Sequence, residues 1–197
     1  MTARLLIVGP QGSGKGTQGV RIAEAFGIPA ISTGDIFRAN ISEGTELGVK
    51  VKAIIDSGDL VSDEVTSELV RDRLAQDDAA QGFLLDGYPR NVAQVGHLDE
   101  FLAGRGEALD VVIELDVPRE ESISRIAQRA AEQGRDDDNE EAIARRLDIY
   151  ERETAPILDV FRERGIVAPV DGVGSLDEIT ERIIAALEAR GIERVAV

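Results

Sequence analysis

The sequence predicts an α/β fold, a five-stranded parallel sheet with helices on both faces, on three observations. Short apolar runs bounded by glycine, proline or aspartate recur at residues 5–8, 29–32, 83–85, 111–115 and 166–170, and an unbroken apolar run suits a strand covered on both faces. The stretches between them carry helical spacing, so strand and helix alternate from end to end, with right-handed crossovers. The chain has 197 residues, 43% hydrophobic and 30% charged. That supplies a sizeable core for one compact domain over residues 1–197 and is far from a disordered or fibrous composition.

Each element follows from its local residues. The first strand, 5–8, leads through a glycine-rich stretch into a helix carrying Val20, Ile22, Ala23 and Phe26. The second, 29–32, is followed by Thr33, which suits a helix cap. Further on, Ser62, Asp63 and Glu64 open a helix bearing Leu69, Val70 and Leu74, the acids matching the positive end of its dipole. Strands 83–85, 111–115 and 166–170 complete the sheet. Two intervals exceed a simple crossover: 33–80, and 118–165, which must hold two helices joined near Gly134. Both are candidate mobile flaps, at 33–61 and 129–139. No internal repeat, low-complexity tract or linker divides the chain.

Charge and composition narrow the function. A net charge of −16 repels nucleic-acid backbones and anionic membranes unless cations are clustered. With no cysteine, disulfides and thiolate metal sites are excluded. The first apolar run is too short for a signal-peptide core or a membrane span, so a cytoplasmic protein without nucleic-acid or membrane partners is expected. Only Lys15, Lys50 and Lys52 among the 22 basic residues are lysine. The remainder are arginines, whose planar donors match phosphate oxygens bidentately.

The sharpest chemical signal is GPQGSGKGT at residues 9–17, between the first strand and the first helix. Side-chain-free positions let backbone N–H groups surround a phosphate, the helix N-terminus adds positive potential, and Lys15 reaches the outer phosphates. The general pattern has Ser or Thr directly after the lysine; here Gly16 intervenes and the hydroxyl arrives at Thr17. After the second strand, Thr33 and Arg38 read either as a capped helix with a solvated arginine or as part of a ligand site. The third strand ends in Asp86, Gly87, Tyr88, Pro89 and Arg90, followed by Gln94. Ligands bind at that edge of open α/β sheets, where Asp86 suits Mg²⁺ through water and Arg90 and Gln94 suit a phosphate and a base. The alternative is an ordinary loop with Asp86 as a cap. Arg125 and Arg129 share a helix face, Arg135 follows Gly134, and Arg146 lies in the next helix, where Arg145 is expected to pair with Glu141 at i,i+4. Brought together with Lys15, Arg38 and Arg90, these arginines would focus positive charge on an anionic substrate. His97, the only histidine, has no partner motif and is assigned no role.

GPQGSGKGTQ at 9–18, STGDIFR at 32–38, DGYPRN at 86–91, GRDDDN at 134–139 and VDG at 170–172 resemble, in order and spacing, the motifs of adenylate kinases, and the resemblance spans essentially the whole chain. It implies a three-layer P-loop fold with an inserted AMP-binding helical segment, and the reaction ATP + AMP ⇌ 2 ADP with Mg²⁺. Carried over, Gly12, Ser13, Gly14, Lys15, Gly16 and Thr17 would cradle the ATP phosphates, Arg125 and Arg129 would contact ATP, and Gly174 would lie near its adenine. Thr33, Arg38, Asp59, Leu60, Val61, Gly87, Tyr88, Pro89, Arg90 and Gln94 would hold AMP. Arg135 and Arg146 would contact the phosphates at the junction, making Lys15, Arg90, Arg125, Arg129, Arg135 and Arg146 the catalytic set and Asp86 the Mg²⁺ partner. The resemblance also implies a cis bond between Tyr88 and Pro89. Two departures stand out: Gln11 replaces a proline common in the loop, and Gly174 stands where many relatives carry a larger residue.

Only residues 130–134 separate Arg129 from Arg135, too few for a long β-rich lid, and without cysteine such a lid has no thiolate zinc site. The short-lid form, without zinc and monomeric, is therefore expected. Three other readings remain, one of them a structural protein with vestigial motifs, which would bind no nucleotide. A UMP/CMP kinase shares the fold and reaction type, but Thr33 and Gln94 favour adenine. A non-catalytic nucleotide-binding module would not need a second arginine-lined site, which Arg38, Arg90 and Arg146 provide.

Overall fold

The computed structural model describes residues 3–133 and 140–195, with side chains described except at 130–133 and 140. In chain order the elements are β1 (Ala3–Val8), α1 (Lys15–Phe26), β2 (Ala30–Ser32), α2 (Thr33–Glu43), α3 (Glu46–Asp56), α4 (Asp63–Leu74), β3 (Gly82–Asp86), α5 (Val92–Ala103), β4 (Val111–Asp116), α6 (Arg119–Gln133), α7 (Glu140–Ile149), α8 (Ala155–Glu163), β5 (Val167–Asp171) and α9 (Leu176–Glu188). Among the described residues the five strands form one parallel sheet in the order β2-β3-β1-β4-β5. Each coincides with an expected apolar run to within two residues at either end.

Alternation along β1 explains why that run is unbroken. Leu6 and Val8 face one core with Val70 and Leu74 of α4, Leu98 of α5 and Phe161 of α8. Leu5 and Ile7 face the other, with Ile22 and Phe26 of α1 and Ile183 of α9. From Leu5 to Val8 the strand is covered on both sides and leaves no position for a polar residue, while Arg4 at its start reaches Glu107. A third, smaller cluster of Phe37, Val51 and Val61 holds α2 and α3 together, with Val65 and Leu69 of α4 packed against it.

The register sets up the site. Ile7 of β1 pairs with Asp86 of β3, and Ser32 of β2 pairs with the same Asp86. The chain therefore leaves β1, β2 and β3 at one edge, with Gly9, Thr33 and Gly87 the next residues to emerge. β1 has β3 on one side and β4 on the other, so the connections diverge there and open a crevice.

Ser62 caps α4 through its side chain, which accepts from Val65 N–H, as its sequence suggests. For α2 the expectation fails by one residue: Ser32 is the cap, accepting from Asp35 N–H, and Thr33 begins the helix. Thr33 is the residue whose hydroxyl donates to Gly87 O, at 3.0 Å. The interval 118–165 holds two helical runs as expected, but the second contains a π-helical turn, Tyr150–Thr154, between α7 and α8. Pro156 near the start of α8 has no N–H for the carbonyl one turn back, and the altered turn sits where an α-helical ladder would break. The join near Gly134 and the lid residues 134–139 lie outside the described residues. Among those described, no helix is long and apolar enough to cross a membrane.

Candidate functional site

The glycine-rich loop is held by the backbone around it. At Gly12, φ is +81°, and a Cβ there would lie 2.4 Å from the backbone oxygen of Ser122 in α6, so neither conformation nor space admits a side chain. α1 begins at Lys15 with no side-chain cap and no acidic residue in its first turn. Its positive end is left for an anion from outside the chain. Arg125 ties the loop to its surroundings, donating to Ser13 O at 3.3 Å and to Gly172 O at 3.0 Å while pairing with Glu121 at 2.7 Å. Lys15 Nζ donates to Pro10 O at 3.0 Å.

The opposite wall comes from β2, β3 and the segment after them. Arg90 Nε donates to Gly87 O at 2.8 Å, so the same carbonyl accepts from Thr33 and Arg90. The Tyr88–Pro89 bond is cis. Gln94 is buried, and its Oε1 accepts from Arg90 N–H at 2.7 Å. Arg38 Nη2 pairs with Asp35 at 2.6 Å. From α7, Arg146 donates to Ile55 O at 2.8 Å.

Electrostatics bind the two walls into one site. Burial lowers Lys15 from 10.5 to about 8; Asp86 opposes the shift, while Arg90 and Arg129 add to it. Burial likewise pushes Asp86 above the usual carboxylate range, and Lys15 and Arg90 pull it back. Arg90 is lowered by burial, partly compensated by Asp86 and worsened by Arg146 and Arg38. Lys15, Arg38, Arg90, Arg129 and Arg146 thus converge on a recessed place with Asp86 among them. Cations crowded in this way destabilise one another until an anion joins them.

The expected side chains enclose one cavity of about 830 Å³, with residues 12–17, Arg125, Arg129 and Gly174 along one part and Thr33, Arg38, residues 59–61, Gly87, Pro89, Arg90, Gln94 and Arg146 along the other. Tyr88 does not line it. Its side chain lies in the core, 3% exposed, with its hydroxyl between Ser67 Oγ and Gln94 O. Of the Gly-Tyr-Pro-Arg run, the tyrosine is thus support for the wall. Arg135 lies outside the described residues. Arg145 pairs with Asp59 at 2.5 Å, across to the turn that follows α3, rather than along its own helix to Glu141. Gly174 has φ +143°, and a Cβ there would meet Glu178 Oε2 at 3.0 Å and Arg182 at 3.4 Å. The positive φ, more than those two movable side-chain ends, is what disfavours a larger residue here.

Sequence reasoning missed Tyr150 and Thr154, which also line the cavity. Thr154 Oγ1 donates to Arg90 O at 2.7 Å, and burial, reinforced by Glu114 and Asp116, pushes the Tyr150 phenol up to about 12. A signal was present: Arg146, Tyr150 and Thr154 recur at four-residue spacing and so share a helix face. Asp63 suits a helix start on sequence grounds, and it also accepts from Gln94 Nε2 at 2.9 Å.

Donor chemistry at the β3 edge suits Mg²⁺ carried by a nucleotide better than a resident metal. Asp86 Oδ2 lies 3.8 Å from where a Cβ of Gly16 would stand, close beside the loop, and Thr17 is near in sequence. Among the described residues no group of three or more His, Cys, Asp or Glu could hold a metal ion. One carboxylate plus phosphate oxygens and water is a common Mg²⁺ arrangement.

Residues 7–166 match the profile of the family described as adenylate kinase. An adenylate kinase of Leifsonia xyli subsp. xyli is 60% identical over 188 residues, covering 95% of this chain and 94% of the relative. One from Clavibacter michiganensis subsp. michiganensis is 57% identical, covering 96% and 94%. Another from Thermobifida fusca is 54% identical, covering 95% and 99%.

Proposed function

As a member of the adenylate kinase family, this chain transfers a phosphoryl group reversibly from ATP to AMP, and we propose that it does so in the cavity between the glycine-rich loop and the β3 edge. The observation that carries this placement is the convergence of Lys15, Arg38, Arg90, Arg129 and Arg146 on one cavity with two differently built walls. ATP takes the wall of Gly12, Ser13, Gly14, Lys15, Gly16 and Thr17, with Arg125 and Arg129 on its phosphates and Gly174 near its base. AMP takes the other, with Arg38 and Arg90 on its phosphate and Thr33, Gln94 and the backbone of residues 59–61 around its base. Arg146 lies between them; Arg135, as the resemblance implies, would join it. With relatives of this identity named adenylate kinase, the UMP/CMP kinase and regulatory-module readings are not favoured.

The chemistry asks little of a general base. The acceptor is already an anionic phosphate oxygen, so rate comes from alignment and from stabilising charge on the group in transfer. Lys15 and the arginines supply that charge from fixed positions. Bound with ATP, Mg²⁺ would neutralise phosphate charge, and Asp86, through water, would be the residue to hold it. Water must be kept from the phosphoryl group, and segment 33–61, with its own small core, is the piece suited to closing over AMP. We further infer a cytoplasmic monomer that needs no zinc, nucleic acid or membrane.

A coupled assay of ADP formation with ATP, Mg²⁺ and each of AMP, UMP and CMP tests the reading. Turnover with AMP far above the others is expected. Equal turnover with UMP or CMP would overturn the assignment of the base-facing residues.

A further inference from the structure

We propose that Asp63 is a positioning residue for base selection: with the N–H of Arg90 it fixes which way the Gln94 amide faces, and so makes the site choose a 6-amino over a 6-oxo purine monophosphate. The proposal rests on Gln94 being the side chain that meets the base.

The Gln94 amide is held at both atoms. Nε2 donates to Asp63 Oδ1 at 2.9 Å, and Oε1 accepts from Arg90 N–H at 2.7 Å. An ionised carboxylate only accepts and a backbone N–H only donates, so the partners themselves dictate the orientation. A flipped amide would set Oε1 against the carboxylate and Nε2 against the N–H, two mismatches at a side chain 1% exposed, where unmade hydrogen bonds are costly. Asp63 is in turn fixed, because the same Oδ1 accepts from Asn91 Nδ2 at 2.9 Å, and Asn91 caps α5 by accepting from Gln94 N–H. Asp63 itself does not line the cavity, whereas Gln94 does.

Each amide atom keeps one further valence: a hydrogen on Nε2 and a lone pair on Oε1. A 6-amino purine offers an N–H donor beside the N1 acceptor, which complements that acceptor and donor pair. A 6-oxo purine offers a carbonyl beside N1–H, which complements only the flipped amide. The selection therefore comes from a residue that touches no substrate.

The test is a steady-state assay of the whole enzyme with ATP and either AMP or inosine monophosphate. Asp63→Ala should lower the ratio of the two kcat/KM values about tenfold, the order of one net hydrogen bond, chiefly by raising KM for AMP, with KM for ATP unchanged. Asp63→Asn keeps an acceptor oxygen and should return the ratio to within about twofold of the parent. If Asp63→Ala melts below the assay temperature, Asp63→Ser, which a first helical turn tolerates but which is too short to reach Nε2, carries the same expectation. AMP and inosine monophosphate falling together in a folded variant would show that Asp63 only braces α4 against α5, overturning the lock alone. A parent enzyme without preference for AMP would overturn the base contact of Gln94, and the lock with it.

Discussion

The two walls of the cavity are built on different principles. The loop wall is fastened to the body of the protein: Gly12 packs against the α6 backbone, Arg125 joins Ser13 to Gly172, and α1 buries its own Ile22 and Phe26 in the core with β1 and α9. The AMP wall takes much of its surface from α2, α3 and the turn after them, which have a separate small core of Phe37, Val51 and Val61. Polar contacts, Thr33 to Gly87 and Arg146 to Ile55, join that segment to the rest, together with Ile36 on the main core and Val65 and Leu69 of α4 on the small one. A wall set into the main core offers fixed electrostatics, which phosphoryl transfer needs; a wall with its own core can move as a unit and exclude water once both substrates are present.

The largest effect should come from breaking the fixed wall's charge. Lys15→Ala is expected to lower kcat by about 10²–10³-fold, the scale for losing one preorganised charge at a transferring group, with the thermal transition retained. Near-normal kcat would mean that the reaction takes place elsewhere.

On the AMP wall, Gln94→Ala should raise KM for AMP about tenfold and leave KM for ATP nearly unchanged. Equal changes for both substrates would erase the distinction between the walls as separate binding surfaces.

A smaller, proton-level effect sharpens the account of the fixed wall. Lys15 has a folded value of about 8 against an ordinary 10.5. Because the folded value is depressed for a base, the unfolded chain binds more protons between these limits, and stability rises with pH through that window. The contribution is fully present above 10.5 and is lost as pH falls through about 8. Phosphates reverse the sign of the local field and favour charged Lys15. ATP binding should therefore take up more than half a proton at about pH 8.5 and about a tenth at pH 7, read by calorimetry in buffers of different ionisation enthalpy. Absence of the Lys15-dependent part in Lys15→Ala identifies the group; the same uptake in that variant would exclude it.

The fixed wall was also the more legible one. Strand, glycines, Lys15 and helix are adjacent in sequence, and their chemistry is local, so residues 9–17 declare it directly. Asp86 and Arg90 were legible because strand ends in an open sheet gather at one edge. What stayed hidden depends on which elements meet. Tyr88 sits within a readable motif, but only packing shows its ring turned into the core; Arg145 found Asp59 rather than Glu141 because α7 lies against the turn after α3. Thr33 and Ser32 are both good caps, and the tie was settled by the carbonyl of Gly87, supplied by a strand some fifty residues on. Asp63 suits the start of α4 on local grounds alone, which masked its bond to Gln94.

The Arg145 pair with Asp59 offers the mildest test of how the movable wall is attached. It is one of the links between α7 and the AMP-side segment: Arg146 also donates to Ile55 O, and the backbones pack so closely that a Cβ at Gly58 would lie 2.7 Å from Ala142 O. The geometry is close, yet the two side chains are 51% and 36% exposed. Water and salt screen an ion pair so placed, and its net worth falls to about 0–1 kcal/mol. Arg145→Ala should therefore shift Tm by less than about 2–4 °C, with the difference shrinking further in high salt. KM for AMP should change by less than about twofold, since backbone packing at Gly58 and Arg146 would still hold the segment. A large rise in KM for AMP, with KM for ATP constant, would reverse this ranking and make the exposed pair the principal latch of the AMP wall.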